Sequence, residues 1–326
     1  MEKPRKFSWT KYFSNEDNVY NIRKGTAFYN DTGSSNFYVF SCLFEKCTGD
    51  GAIHIENSNV ISTLIESSVF RRCSSTKDYG SGSVYFVCYH GQFVQERTCY
   101  YKSKAHECMA FLQFTSSYFE YYDSKDYAFD VSVSNCGESE TEGSESFLIA
   151  WGEQLVSNIN ITNNKCGTRA SLGSQANGFS ATYNFSTFRE NNQTESGSFD
   201  FGSFDIGWVY TVSYCNIIGN RCGTDNNQIL FESQWYTNFD HCIFLNNTAK
   251  YMYFGFLTVS DSYADTNLTN RNGDVIFVNF TENFNNFNNF TNFYTEICFI
   301  EPKEITNVIC YLSKFAKSVS PSLLSS

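Results

Sequence analysis

Two acids hold the same place in consecutive copies of a repeated phrase. Asp205 and Glu232 each stand twelve residues before an apolar anchor, Ile217 and Phe244 respectively. If anchors of successive copies stack, the two carboxylates lie in neighbouring layers, about 5 Å apart. That separation suits the nucleophile and acid of a retaining glycosidase. The same oxygens suit a Ca²⁺ ion. The plainer reading is a pair of acids on a solvated face, because turns of unequal length shift such a register.

Rings offer a second chemistry. Tyr118, Tyr121, Tyr122, Trp235, Tyr236, Tyr251 and Tyr253 include adjacent pairs, and neighbours along a strand point to opposite faces. One ring of each pair then faces outward, to stack on a sugar or anchor a partner. Tyr121, Tyr122, Trp235 and Tyr236 form the candidate binding surface, although ordinary strand preference also explains such rings. No paired Cys-x-x-Cys hooks hold a metal. No Gly-rich phosphate loop, nucleophile elbow or metalloprotease motif occurs, so no cofactor is expected. His54 alternates with Ile53 and Ile55 and is expected at the surface.

These residues sit on a repeating frame. A large apolar residue, two residues, then Asn or Cys recurs as Phe44–Cys47, Phe70–Cys73, Val133–Cys136, Ile161–Asn164, Phe188–Asn191, Ile217–Asn220 and Phe244–Asn247. Tyr101 is the anchor between the second and third of these. The steps are 26, 31, 32, 28, 27, 29 and 27 residues, a period that marks a repeat architecture. Each period holds short alternating segments such as 60–65, 83–87 and 147–151, the strand signature. Gly, Ser, Asn and Asp clusters separate them as turns. No window keeps a helical period long enough for a βαβ crossover.

The fold expected is all-β: a right-handed parallel β-helix of about nine coils with irregular caps, its coils about 4.8 Å apart. The anchors would make one internal apolar column. Asn164, Asn191, Asn220 and Asn247 would make an amide ladder at a corner. Cys42, Cys99, Cys215 and Cys242 stand two residues before an anchor, hence on the same face; packed thiols are the plain reading. Disulfides between stacked rungs suffer poor geometry. Three parts follow: residues 1–29 as an N-terminal cap or irregular segment, 30–278 as the β-helix, and 279–326 as an Asn/Phe-rich low-complexity segment and tail. In the tail, Phe280, Phe284, Phe287, Phe290 and Phe293 recur every three or four residues, and 305–315 suits a short closing helix.

The formal charge of −11 opposes nucleic acid and anionic membrane faces. No stretch of roughly 18 apolar residues spans a bilayer, and no signal-peptide core follows the basic first residues. Eight Asn-x-Ser/Thr sites are about what this composition yields by chance.

Phe188-x-x-Asn191 and Phe244-x-x-Asn247 match the Phe-x-x-Asn half of a known repeat, and Gly49-Asp50-Gly51-Ala52-Ile53 resembles its Gly-Gly-Ala-Ile half. Over about residues 30–274 the chain resembles right-handed parallel β-helix, pectin-lyase-like proteins. Within that group it resembles the polymorphic outer-membrane-protein-type surface repeats of bacteria and protozoan parasites. The resemblance implies an elongated, non-catalytic surface or secreted protein, often an adhesin. A second resemblance concerns Asp240-His241-Cys242-Ile243-Phe244, which is similar to the Asp-His-x-x-Phe stretch of pectate lyases and implies a calcium site at Asp240. A lyase of that type also needs an Arg base, and no Arg occupies an equivalent slot nearby.

The expectation is therefore a non-enzymatic surface, adhesion or interaction scaffold whose partner is a protein or glycan, and which is monomeric or associates end to end. The alternative is a carbohydrate-active enzyme, a polysaccharide lyase or glycoside hydrolase, using Asp205, Glu232 and Asp240.

Overall fold

The computed structural model describes residues 7–14, 19–114, 124–175, 181–195, 199–202, 209–223, 229–265 and 271–283. Among these residues 25 strands join into one sheet, and the ladders between them run parallel. The chain winds as a solenoid in which each coil crosses three faces in turn. The first face carries Phe28–Asn30, Ile53–Asn57, Val84–Cys88, Cys108–Phe114, Glu145–Ala150, Leu172–Gln175 and Phe199–Gly202, then the leading parts of the later long strands. The second begins at Val19–Ile22 and runs through Asn36–Phe40 and Ser62–Glu66 to residues 275–278. The third carries the anchors in nine rungs among the described residues, from Leu43–Glu45 to Tyr263–Ala264.

Two columns of left-handed residues turn the corners around the third face. Ser41, Ser67, Arg97, Asp130, Asn158, Phe185, Tyr214, His241 and Asp261 enter it with φ between 46° and 56°. Lys46, Arg72, Lys102, Asn135, Asn163, Glu190, Gly219 and Asn246 leave it with φ between 53° and 65°. A non-glycine residue there costs about 1–2 kcal/mol. At most of these corners the N–H meets a carbonyl of the next rung, as from Ser41 to Glu66 at 3.0 Å and from Lys46 to Arg71 at 2.9 Å, and the Asn246 N–H meets the Asp265 carboxylate instead. The strain thus recurs with its own compensation.

The anchors stack as expected. Phe44 lies 4.8 Å from Phe70 with rings 5° from parallel, and Phe70 lies 5.0 Å from Tyr100. Val133, Ile161, Phe188, Ile217 and Phe244 continue the buried column. The third anchor is Tyr100, not Tyr101: Phe70 and Val133 both register on Tyr100. Buried Ser103 then fills the slot three residues on, completing a copy that Tyr101 left without one. The shift also moves Cys99 to the position one before the anchor, off the inward face expected for it. Cys99 is disulfide-bonded, and the other ten described cysteines are free thiols.

The Asn ladder closes its own hydrogen bonds. Each Oδ1 of Asn191, Asn220 and Asn247 takes the backbone N–H and side-chain NH₂ of the Asn one rung below. The interior is not wholly apolar. Gln95, Gln113, Asp126, Gln154 and Ser174 point inward among the aliphatic groups. They pair with Tyr100, Tyr183 and one another.

Of the segment 1–29, expected as a cap or irregular, residues 7–14 and 19–29 are described. The helix Phe7–Tyr12 lies along the outside of the second face, where Trp9, Tyr12 and Phe13 pack on Tyr38, Leu64 and Val94. Tyr12 donates to Glu96 at 2.9 Å, and Lys125 donates to the Tyr12 carbonyl at 2.6 Å. At the other end Phe280 packs against Phe277, and Thr281 pairs with Tyr263. The later phenylalanines of the Asn/Phe tract and the 305–315 segment lie outside the described residues. Among the described residues, no helix is long and apolar enough to cross a membrane.

Candidate functional site

Glu232 faces outward on the first face, and the residue one rung below it is Asp200. The register expected from the anchors put position 205 there; Asp205 itself lies outside the described residues. Asp200 follows Gly173 and Leu148 in the same outward column. A Cβ at Gly173 would meet Leu148 Cδ1 at 2.8 Å and Arg169 Cδ at 3.2 Å. The missing side chain lets the Arg169 stem cross the sheet there. Its guanidinium spans two rungs, pairing through Nη1 with Glu145 and through Nε with Asp200 at 2.6 Å. Oδ1 of Asp200 is buried and unpartnered.

Burial raises the pKa of Glu145 and of Asp200, and the Arg169 charge opposes this only in part. Burial also raises Glu232, with the Asp200 charge adding to it. The arrangement is a guanidinium held between two sequestered carboxyls, with a third acid beside them. Glu145, Arg169 and Asp200 were not singled out from the sequence.

Asp240 lies elsewhere. Residues 229–240 form one strand, but 231–233 pair on the first face and 237–240 on the second. Glu232 and Asp240 therefore occupy different faces and do not form one site, contrary to the enzyme expectation that joined them. Asp240 instead meets His241, whose Nδ1 is 2.9 Å from its Oδ2, and the hydroxyl of Ser260 at 2.9 Å from its Oδ1. Asp261 completes a trio whose ligand atoms all lie within 4.8 Å of one another.

The outside of the second face changes character along the solenoid. Near its start the N-terminal helix covers it. Further along it is open and polar: Thr182 and Asn184, Thr211 and Ser213, Asn238 and Asp240, Thr258 and Ser260 stand in two aligned columns over four rungs. All are partly or well exposed. A ridge borders them at the left-handed corner, where Phe185 stacks on Tyr214 at 5.3 Å and Tyr214 on His241 at 4.9 Å. These rings present edges to solvent, since their faces are spent on one another.

The expected aromatic surface is met in part. Tyr118, Tyr121 and Tyr122 lie outside the described residues, as does the Trp235 side chain. Tyr236 is 53% exposed beside Phe256. Tyr253 points inward and is fully buried. His54 is not at the surface. It is sandwiched between Tyr29 at 4.7 Å and Tyr85 at 4.5 Å, and burial lowers its pKa. Its column carries Tyr85, Leu112 and Leu148, which form a second apolar cluster outside the main core. No family model, curated protein or solved structure matches the chain.

Proposed function

We propose that this chain is a non-catalytic interaction scaffold that presents the open part of its second face to a partner. The observation that carries the reading is the pair of Ser/Thr/Asn columns, from Thr182 to Ser260, bordered by the Phe185–Tyr214 ridge. Hydroxyls and amides repeated at about 4.8 Å suit an extended glycan, whose own units repeat on a similar scale, or a peptide rich in polar side chains. The exposed Tyr236–Phe256 pair extends the contact with apolar area. We infer that the chain is a divergent pectin-lyase-like protein of the polymorphic outer-membrane-protein type, acting at a cell surface or outside the cell. The three-faced coil and its Asn ladder support that kinship.

The second reading is a carbohydrate-active enzyme, and Asp200 with Glu232 favours it. The two acids stand on adjacent rungs about 4.8 Å apart, both with raised pKa. In the scaffold reading, Arg169 holds Asp200 for structural reasons. A polysaccharide panel, with and without Ca²⁺, separates the two when binding and new reducing ends or unsaturated products are both measured. Binding without cleavage that Thr211→Glu or Ser213→Glu weakens is the expected result. Turnover abolished by Glu232→Gln, Asp200→Asn or Asp205→Ala would establish the enzyme instead.

A further inference from the structure

We propose that Asp240, His241 and Asp261 form a binding site for a divalent transition-metal ion of the Zn²⁺ and Co²⁺ class. The inference is independent of the partner-binding reading and rests on how one corner is built. His241 and Asp261 are equivalent left-handed residues of adjacent rungs, with φ of 51° and 46°. The His241 N–H bonds to the Ser260 carbonyl at 3.1 Å, which fixes their spacing. Asp240 is the last residue of the strand leading into His241. Stacked rungs therefore deliver one imidazole and two carboxylates to one point, where their ligand atoms lie within 4.8 Å of one another.

Each ligand is already oriented by a neighbour. Tyr214 stacks on the imidazole at 25° from parallel. The Ser260 hydroxyl holds Oδ1 of Asp240 at 2.9 Å, and the Asn279 amide holds Oδ1 of Asp261. Such second contacts orient ligands and tune a metal site. The donor set selects among ions. Ca²⁺ takes six to eight oxygens, whereas an imidazole joined to carboxylates suits Zn²⁺, Co²⁺ or Ni²⁺. Three protein ligands leave at least one position to water or to an incoming donor. All three residues are only partly buried, so the ion enters from solvent without opening the fold.

The test uses the full chain, stripped with EDTA and titrated with Co²⁺ while its visible d–d absorption is followed, then challenged with Zn²⁺. The expected result is one equivalent bound, a band displaced by Zn²⁺, and a Zn²⁺-dependent rise in Tm. His241→Asn should abolish the band, and Asp240→Asn or Asp261→Asn should weaken binding at least about tenfold. Asn tolerates the left-handed corner, so the metal-free Tm of His241→Asn reports whether the fold is intact. His54, His90 and His106 remain in that variant and serve as the internal control. Binding unchanged in His241→Asn, absence of a saturable Co²⁺ band in the wild type, or tighter binding of Ca²⁺ than of Zn²⁺ would each overturn the proposal.

Discussion

The side-chain oxygen of Asn220 accepts two hydrogen bonds from Asn191, one from its backbone N–H at 3.2 Å and one from its amide at 3.0 Å. Asn220 in turn donates to the Phe188 carbonyl at 3.0 Å and to Asn247 at 3.1 Å. One carboxamide thus satisfies two buried backbone groups of the coil below and passes the pattern on to the coil above. The ladder fixes both the rise between coils and the corner that leads out of the third face.

Asn220→Ala leaves the Asn191 N–H and the Phe188 carbonyl without these partners in a buried site. Each orphaned group costs about 1–3 kcal/mol, so a loss of about 2–6 kcal/mol is expected in urea unfolding. Exposed Asn238→Ala, on the second face, should change stability by no more than about 0.5 kcal/mol.

Phe70 lies between Phe44 and Tyr100 in the inward column, while Leu43, next to Phe44 in the rung below and paired with Val69, faces out and is 37% exposed. Phe70→Ala should cost about 3–5 kcal/mol through the cavity it opens. Leu43→Ala should cost no more than about 0.5 kcal/mol. Equal effects would contradict the assignment of inside and outside.

Anchors and ladder were legible because stacking enforces them: the turn from the anchor to its Asn or Cys has one length in every coil. The third anchor was misplaced because Tyr100 and Tyr101 are adjacent rings and neither is followed three residues on by Asn or Cys. The acid register failed for a different reason. Glu232 is twelve residues before its anchor, but Asp200 is seventeen before Ile217. The corner between the first and second faces takes segments of unequal length, so counting back across it loses register. The Arg169 contact was hidden because it depends on an absent side chain at Gly173. His241 and Asp261 lie on a corner of fixed length, each three residues before the anchor column at Phe244 and Ala264. Their meeting was readable once Ala264 is recognised as an anchor, and its small size concealed that.

Arg169→Met removes the one cation between Glu145 and Asp200. Breaking a buried pair in this way costs about 3–5 kcal/mol. Both carboxyls already have folded-state pKa values above their ordinary range, and removing Arg169 moves them further up. For an acid so shifted, stability is greatest below its unfolded pKa and falls as pH rises through the folded one. The deficit of Arg169→Met should therefore be larger at pH 8 than at pH 5. Adding Glu145→Gln and Asp200→Asn should remove most of that pH dependence, as denaturant midpoints will report.

His54 behaves oppositely. Its pKa is lowered by burial between Tyr29 and Tyr85, so the unfolded chain binds its proton more readily than the folded one. Its contribution to stability is present above the unfolded value and lost as pH falls through and below it. His54→Phe keeps the ring stack and should lessen the loss of Tm between about pH 7 and pH 5. An unchanged acid limb would remove His54 from the account.

The most direct test of the stacked coil is the distance between outward side chains on neighbouring rungs. Thr211 and Asn238 are register partners, while Thr182 and Thr258 sit three rungs apart in the same column. Cysteines placed at each pair and labelled with pyrene maleimide in the native state report this by fluorescence. The account predicts strong, dilution-independent excimer emission from Thr211→Cys/Asn238→Cys and monomer emission from Thr182→Cys/Thr258→Cys. Monomer emission from both pairs would contradict it.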